Sequence, residues 1–255
     1  MENHANVTVI LTVWKRNNLR EQIEAILAQT TPPAHIWVIQ CMRHVHVKDV
    51  LDDYPQIKFF QSDEDLKYFS RFSIGIHAKS EYTWVLDDDM VPSPTWIETC
   101  IRACGQHHAI VASNGRIIPR DDFYPERVKS PGYVNRYFVG DSRTVDSVNL
   151  CEADTKIDFP CSSYFFRTEW LRYFWGVWPV TFETAEDIHF AASCRILGDI
   201  GTVVPRQTSP SDSGNTRPSY SLDEFASWKK DGFTSIRAEV IRYFIMERGW
   251  KPLLW

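Results

Sequence analysis

Apolar and polar positions follow two different periods over the first sixty residues. Short apolar runs, VTVILTV at 7–13, HIWVIQ at 35–40 and IKFF at 57–60, have the length of buried strands. Between them, LREQIEAILAQ at 19–29 and VKDVLDDY at 47–54 carry apolar residues at helical spacing. Strand, helix, strand, helix and strand in this order predict an α/β fold with a parallel sheet of the doubly wound type.

The pattern continues beyond residue 80. YTWVL at 82–86 predicts another strand, TWIETCIRACGQ at 95–106 predicts a helix that ends at Gly105, and HAIVASNGRI at 108–117 predicts a further strand. The second half is less regular and rich in aromatic residues. Its clearest element is TAEDIHFAASCRILG at 184–198, a predicted helix with acidic residues in its first turn and glycine at its end.

Two segments near the carboxyl end have contrasting compositions. Residues 205–221, PRQTSPSDSGNTRPSYS, contain many turn-forming residues and few apolar ones, which predicts a mobile loop. Residues 222–247 are basic and aromatic and predict a closing helix. With 255 residues and 44% hydrophobic content, the chain can bury a large core, and a single domain over 1–255 is the simplest prediction.

Charge and cysteine content exclude some classes of protein. Lys and Arg number 28 against 33 Asp and Glu, and this net charge of -5 argues against a nucleic-acid partner. The first apolar run has no basic segment before it, and no run approaches the ~18 residues of a membrane span, so neither a signal peptide nor a membrane span is predicted. The six cysteines form no C-x-x-C pair. We therefore expect reduced, mostly buried thiols in a soluble cytoplasmic protein.

Three consecutive aspartates, Asp87, Asp88 and Asp89, follow the apolar run at 82–86. Clustered carboxylates repel one another, so they need water, a metal ion or a basic partner. Strand alternation would place Asp87 and Asp89 on one face and Asp88 on the other. Two carboxylates facing one point suit Mg²⁺ or Mn²⁺ at the carboxyl end of a strand, and the alternative is a solvated turn.

Basic residues and a second acidic pair complete the candidate chemistry. Arg16 follows the first strand, and Arg71 precedes the aspartates. The forked N–H groups of an arginine guanidinium fit the oxygens of a phosphate group. Either residue could equally be an ordinary surface arginine. Glu186 and Asp187 begin the helix predicted at 184–198. They could complement the helix dipole, or they could act on a reacting centre as a general base or as stabilisers of positive charge.

Tryptophans in the second half leave two interpretations open. Trp170, Trp175 and Trp178 all lie in YFFRTEWLRYFWGVWP at 164–179. Such residues suit either a packed core or a surface on which a sugar ring stacks.

Three segments, TVWKRNNL at 12–19, YFSRFSIGIHAKSEYTWVLDDDM at 68–90 and AEDIHFAASCRILG at 185–198, resemble the GT-A glycosyltransferases. The resemblance is greatest to the carboxyl-terminal domain of the exostosin family, and a weaker likeness extends to GWKPLLW at the end of the chain. It implies a GT-A fold, with a Rossmann-like, mostly parallel sheet flanked by helices. It also implies a nucleotide-sugar-binding half over about 1–105 and an acceptor half over about 106–255. We expect loop 207–221 to act as a lid that orders over the donor, since such loops exclude water from a reactive sugar.

The same resemblance assigns roles to individual residues. It places Asp89, with Asp87, on the metal ion, and it makes Asp187 and Glu186 the catalytic pair. Asp187 would be the base if the enzyme inverts the anomeric configuration, as general family-two enzymes do; if it retains the configuration, as exostosins do, both residues would stabilise positive charge. The residues expected to contact the nucleotide-sugar are Thr12, Arg16, Arg71, Asp87 and Asp88.

Three departures from the exostosin pattern concern the nucleotide and the metal. Gln40 or Cys41 replaces an asparagine expected after the second strand, and PLLW replaces a late arginine. No histidine follows His189 that could serve as a third metal ligand. We therefore expect Asp89 and the diphosphate alone to hold the ion, which predicts weak metal binding without nucleotide.

The expected function is transfer of a sugar from a nucleotide-sugar, a UDP-sugar above all, to a glycan hydroxyl with the help of Mn²⁺ or Mg²⁺. One alternative is a vestigial glycan-binding module without activity. Another is a sugar nucleotidyltransferase, but the glycine-rich phosphate loop that such enzymes carry after the first strand is replaced here by TVWKR.

Overall fold

An eight-stranded sheet forms the centre of the fold. The computed structural model describes residues 4–120, 122–124, 137–140, 142–144, 147–217 and 223–255. In these ranges the strands are β1 (Ala5–Val13), β2 (Pro33–Cys41), β3 (Lys58–Ser62), β4 (Tyr82–Leu86), β5 (Ala109–Val111), β6 (Asn114–Arg116), β7 (Phe138–Gly140), β8 (Ser142–Thr144), β9 (Ser147–Asn149), β10 (Thr155–Ile157), β11 (Phe159–Cys161), β12 (Ser163–Arg167) and β13 (Gly201–Val204). The helices are α1 (Leu19–Leu27), α2 (Lys48–Leu51), α3 (Ser70–Gly75), α4 (Trp96–His107), α5 (Leu171–Phe174), α6 (Glu186–Gly198) and α7 (Phe233–Met246).

The order of strands in the main sheet is β10-β13-β5-β12-β4-β1-β2-β3. Strands β3, β2, β1 and β4 run parallel, as do β13 and β5. The predicted α/β fold, with a mostly parallel sheet and flanking helices, is therefore confirmed. Beside it lie a three-stranded sheet, β11-β6-β7, and the β8-β9 hairpin.

Strand β12 interrupts the parallel order. It pairs antiparallel with β4 on one side, where Ser163 lies opposite Leu86, and with β5 on the other, where Phe165 lies opposite Val111. A strand from the second half of the chain thus lies in the middle of the sheet. The local sequence pattern gave no indication of this long-range pairing.

The core explains the unbroken apolar runs of the first half. Strand β1 is buried along nearly its whole length, and β4 is buried at every position, because helices cover both faces of the sheet. Phe72 of α3 stacks on Phe174 with ring centroids 4.6 Å apart, and both are fully buried. The aromatic cluster of the second half is therefore largely core.

Several predicted boundaries were wrong. Helix α4 continues past Gly105 to His107 and ends where His108 adopts a left-handed conformation, because a single glycine costs a helix only about 1 kcal/mol and does not have to end it. HAIVASNGRI forms two strands, β5 and β6, in different sheets. The closing helix begins at Phe233 rather than near residue 222, because Gly232, with a φ of 74°, breaks the chain direction before it.

The described part of the predicted loop 207–221 is anchored to the segment after the aspartates. The Ser93 amide donates to the Ser213 carbonyl at 3.0 Å, the Thr216 amide to the Val91 carbonyl at 2.7 Å, and the Val91 amide to Asn215 Oδ1 at 3.0 Å. Residues 218–221 lie outside the described ranges, so a lid over 207–221 stays a prediction. Within those ranges, no helix is long and apolar enough to cross a lipid bilayer.

Candidate active site

A cleft lies where β1, β2 and β4 reach their carboxyl ends. One wall comes from the first half of the chain and includes Thr12, Arg16, Arg71 and the three aspartates. The opposite wall comes from β6, β7 and the start of α6, with α7 and the residues before it closing the end. The carboxyl ends of parallel strands are the usual ligand site in open α/β sheets.

The aspartates occupy a turn rather than the end of the strand. Strand β4 ends at Leu86, and the Met90 amide donates to the Asp87 carbonyl at 3.3 Å. Gln22 of α1 holds this turn by donating to the carbonyls of Asp87 and Met90, both at 2.8 Å. Strand alternation therefore does not apply to these residues. Asp88 and Asp89 share one side-chain partner, Arg16, whereas Asp87 pairs with Arg71, and the charge of Asp87 still contributes to the raised pKa of Asp89. A metal site at Asp87 and Asp89 stays a prediction.

Arg16 is the shared partner of Asp88 and Asp89. It donates to Asp88 Oδ1, and its Nη2 lies 3.5 Å from Asp89 Oδ2. It also forms a two-pronged pair with Asp223, with Nε to Oδ2 at 2.6 Å and Nη2 to Oδ1 at 2.7 Å. One guanidinium group therefore joins the aspartate turn to the segment that precedes α7.

Arg71 connects the aspartate turn to the second half of the chain. Its side chain is only 3% exposed, and it donates from Nη1 to Asp87 Oδ1 and from Nη2 to Glu186 Oε1, the latter at 2.6 Å. Its guanidinium carbon lies 5.0 Å from the ring centre of Tyr164. The two acidic groups that the sequence singled out are thus bridged by one buried cation.

Glu186 and Asp187 begin α6 and point to different arginines. Arg237 Nη2 of α7 donates to Asp187 Oδ2 at 2.7 Å, and both side chains are buried. Arg237 in turn packs on the rings of Tyr124 and Phe233, at 4.9 and 5.0 Å from their centres. The positive end of the helix dipole favours carboxylates at this position.

Burial makes several carboxylates harder to ionise. It raises the pKa of Asp89 to about 7, with repulsion from Asp87 adding to the effect and Arg16 opposing it. Burial also raises the pKa of Asp88, against the attraction of Arg16. For Glu186, burial and the charge of Asp187 together outweigh Arg71 and raise the pKa to about 7. The cleft therefore concentrates negative charge where it is costly.

The aspartate turn has the donors that a hard divalent cation needs. Asp88 Oδ2 is buried without a hydrogen-bond partner among the described residues, and Asp89 is buried with a raised pKa. A divalent cation at this turn would stabilise its clustered carboxylates in their charged form, and oxygen ligands suit Mg²⁺ or Mn²⁺. In the described ranges, no three His, Cys, Asp or Glu side chains converge as a ligand set. Further ligands would have to come from a bound substrate or water.

The predicted site residues meet in one cleft, while the tryptophans do not. Thr12 lines the cleft, and its hydroxyl donates to the Leu86 carbonyl at 2.9 Å. Trp170 is buried in the core, Trp175 is partly buried, and Trp178 is 78% exposed. Trp178 therefore remains the one of the three that is free to meet a ligand from solvent.

Sequence patterns missed five residues that line or close the cleft. These are Arg116, Tyr124, Phe138, Asp223 and Arg237. Each is an isolated charged or aromatic residue in an irregular or weakly patterned stretch. The only available signal was the basic and aromatic composition of residues 222–247, which contains two of the five.

The sequence model of glycosyl transferase family 2 matches residues 8–168, which is more than half of the chain and includes the aspartate turn. The chain belongs to glycosyl transferase family 2. A curated relative of this chain, galactofuranosyltransferase GlfT1 of Mycolicibacterium smegmatis, is 24% identical over 147 residues. That match covers 54% of this chain and 48% of the relative, so the chain spans about half the length of the curated relative.

Solved structures place the family 2 fold of this chain among GT-A proteins. The crystal structure of S. aureus TarS 1-349 aligns with a TM-score of 0.50 and 15% identity, over 81% of this chain and 61% of that one. GalNAc-T7, solved with UDP, GalNAc and Mn²⁺, aligns with a TM-score of 0.56 and 14% identity, over 80% of this chain and 43% of that one. At this level of identity the likeness concerns the fold.

Proposed function

We propose that this chain transfers a sugar from a UDP-sugar to a glycan hydroxyl with the help of Mn²⁺ or Mg²⁺. The observation that carries the proposal is the buried ion-pair chain from Asp87 through Arg71 to Glu186, which brings the acidic turn and the acidic helix start to one cleft. Family membership supports the reaction class. GlfT1 is named a galactofuranosyltransferase, and GalNAc-T7 was solved with UDP and Mn²⁺.

The two walls of the cleft divide the substrates. We assign the nucleotide-sugar to the wall of Thr12, Arg16, Arg71 and the aspartates, because arginine forks fit the oxygens of a diphosphate. The acceptor then takes the wall of Asp187 and Arg237. Residues of about 1–105 would form the donor half and residues of about 106–255 the acceptor half, with loop 207–221 as a lid. The resemblance of the three motif segments to the exostosin family implies the same division.

Asp87 and Asp89 would hold the metal ion, and Asp88 would contact the ribose or the donor sugar. When bound, the cation neutralises the diphosphate and so makes it a better leaving group. Arg16 stabilises the same charge from the side. Its present partner, Asp223, occupies the guanidinium edge that a phosphate oxygen would take.

Asp187 is the proposed base. It lies at the acceptor wall, whereas Glu186 is bound by Arg71 and faces the donor wall. The acceptor hydroxyl would give its proton to Asp187 while its oxygen forms a bond to the anomeric carbon of the donor. The bond from that carbon to the diphosphate breaks, and UDP leaves with the electron pair. Direct displacement inverts the anomeric configuration, and NMR of the anomeric proton in fresh product tests this.

Calorimetric titration tests the proposal before any sugar is known. Each of UDP, GDP and CMP is titrated with and without Mn²⁺ into wild type and Asp89→Ala. The control variant is Asp53→Ala, because the Asp53 carboxylate lies on the exposed surface in a pair with Arg20. We expect Mn²⁺-dependent binding of UDP in wild type and control and its loss in Asp89→Ala. Binding of none of the nucleotides would overturn the proposal and favour a glycan-binding module without activity.

A further inference from the structure

Arg116 is a buried cation of the cleft that has no acidic partner among the residues that the structure describes. It lies on β6, is 4% exposed, and lines the cleft on the acceptor wall. Its Nε and Nη1 atoms are buried, and no described residue offers either of them a hydrogen-bond acceptor. Within the described ranges, the ion pairs of the cleft involve Arg16, Arg71 and Arg237, and none involves Arg116.

Aromatic rings hold the Arg116 side chain in place. Its guanidinium carbon lies 4.4 Å from the ring centre of Tyr124 and 4.1 Å from that of Phe138, which is its cross-strand partner on β7. Ring faces attract a cation, but they accept no conventional hydrogen bond from its N–H groups. Buried N–H groups of a cation normally donate hydrogen bonds to acceptors. The contacts with Tyr124 and Phe138 therefore leave buried N–H groups of Arg116 without a hydrogen bond.

Arg116 lies close to the proposed reacting centre. Tyr124 contacts both Arg116 and Arg237, whose guanidinium carbons lie 4.4 and 4.9 Å from its ring centre, and Arg237 binds Asp187. One aromatic ring therefore touches an arginine that has a carboxylate partner and another for which the described residues supply none. The Arg16 group that we assign to the diphosphate belongs to the opposite wall.

We propose that Arg116 binds an oxyanion carried by a sugar substrate, so that this chain acts on an acidic glycan. The proposal rests on the proposed function, and it names the substrate class of the same cleft. A guanidinium group binds carboxylates and phosphates through paired, charge-assisted hydrogen bonds. The carboxylate of a uronic acid or the phosphate of a sugar phosphate would supply the missing acceptor, from either the acceptor sugar or the donor sugar.

The experiment compares charged and neutral probes of the same shape. The titrations are carried out with UDP and Mn²⁺ at saturation. The probes are methyl glucuronide, methyl glucoside and glucose 6-phosphate. Each probe is titrated into wild type, Arg116→Gln, Arg116→Lys and a surface control, Arg172→Gln. A second arm compares UDP-glucuronate with UDP-glucose, which separates a donor oxyanion from an acceptor oxyanion. Binding of UDP itself is measured first, so failure of the proposed function is recognised independently.

We expect wild type and Arg172→Gln to bind one acidic probe about 10-fold or more tighter than its neutral counterpart, as charge-assisted hydrogen bonds allow. The preference should disappear in Arg116→Gln and be partly kept in Arg116→Lys, while affinity for UDP stays unchanged. Equal binding of acidic and neutral probes in both arms would overturn the proposal, as would a preference that survives Arg116→Gln. In that case Arg116 only packs between its rings.

A measurement on wild type protects the test against a variant that fails to fold. The ¹⁵N–¹H resonance of the Arg116 Nε group should move on addition of the preferred acidic probe and stay in place with the neutral one. An Nε resonance that does not respond to any acidic probe, in protein that binds UDP, would also overturn the proposal.

Discussion

Arg71 and Glu186, which lie 115 residues apart in the chain, are joined by a hydrogen bond of 2.6 Å between Nη2 and Oε1. The same guanidinium group holds Asp87, so a single buried arginine fixes the distance between the acidic turn and the start of α6. This places Arg71 in a structural role that the sequence did not indicate. Its predicted contact with the nucleotide has to coexist with two carboxylate partners.

Removing Arg71 should destabilise the fold strongly. Arg71→Met leaves Asp87 and the buried Glu186 without their cation, and we expect the free energy of unfolding to fall by about 3–5 kcal/mol in urea denaturation. The double variant Arg71→Met, Glu186→Gln should recover part of this loss in the free energy of unfolding, because the uncompensated carboxylate of Glu186 is gone. The control is Arg172→Met, which breaks an exposed pair with Glu169 and should cost about 0–1 kcal/mol. Equal effects of the two single variants would contradict the bridging role.

Stability should depend on pH through Asp89. Its pKa is about 7 in the folded protein and 3.8 in the unfolded chain, so the protonated form favours folding. The stability that Asp89 contributes is fully present below about pH 4 and is lost as pH rises to about 7. Asp89→Asn should therefore match wild type near pH 4 and become more stable than wild type toward pH 8.

Thermal melts without metal measure this difference, which should reach the order of a few kcal/mol. Asp52→Asn is the control, since Asp52 pairs with Lys48 on the exposed surface. Its curve should run parallel to that of wild type from pH 4 to pH 8. A constant difference between Asp89→Asn and wild type over this range would show that Asp89 titrates as an ordinary carboxylate.

Loss of the Asp223 carboxylate should strengthen nucleotide binding. Asp223 occupies the Nε and Nη2 edge of Arg16, which we assign to the diphosphate. Asp223→Asn removes a charged competitor, so the affinity for UDP with Mn²⁺ should rise by about 3- to 10-fold in calorimetric titration. Glu224→Gln, a change at the exposed neighbouring position, is the matched control. Weaker binding in Asp223→Asn would mean that Asp223 supports the nucleotide site instead.

Asn215 should stabilise the segment that follows the aspartates. Its Oδ1 accepts the Val91 amide at 3.0 Å in a buried position, and Asn215→Ala would leave that amide without its acceptor. We expect a loss of about 1–3 kcal/mol in the free energy of unfolding and faster hydrogen exchange at Val91. Thr208→Ala, at an exposed position of the same loop, should have little effect on either measurement.

The sequence predicted those parts of the fold that depend on local periodicity. The strands around Val9, Val38 and Trp84 appear where continuous apolar runs required burial on both faces, and the aspartates fall at the predicted end of β4. The alternation argument failed because Gln22 fixes the aspartates in a turn. A hydrogen bond between residues 65 positions apart has no local signature.

The second-half residues of the cleft were beyond sequence reasoning for a similar reason. Arg116, Asp223 and Arg237 are single charged residues without a repeating pattern, and their roles follow from partners that only the fold brings near. The resemblance to GT-A enzymes pointed to Glu186 and Asp187. It gave no indication of which arginine each would bind.

The antiparallel strand β12 gives the enzyme an architecture that cannot be separated into modules. The chain leaves the proposed donor half at about residue 105 and then returns to place Ser163–Arg167 between β4 and β5, with the Asp87 amide donating to the Ser162 carbonyl at 2.9 Å. A fragment ending at residue 105 would expose the unpaired backbone edge of β4, beside the aspartate turn. Evolution can therefore change the second-half wall of the cleft by substitution within this frame, but replacing that wall as a unit would open the sheet that supports the aspartate turn.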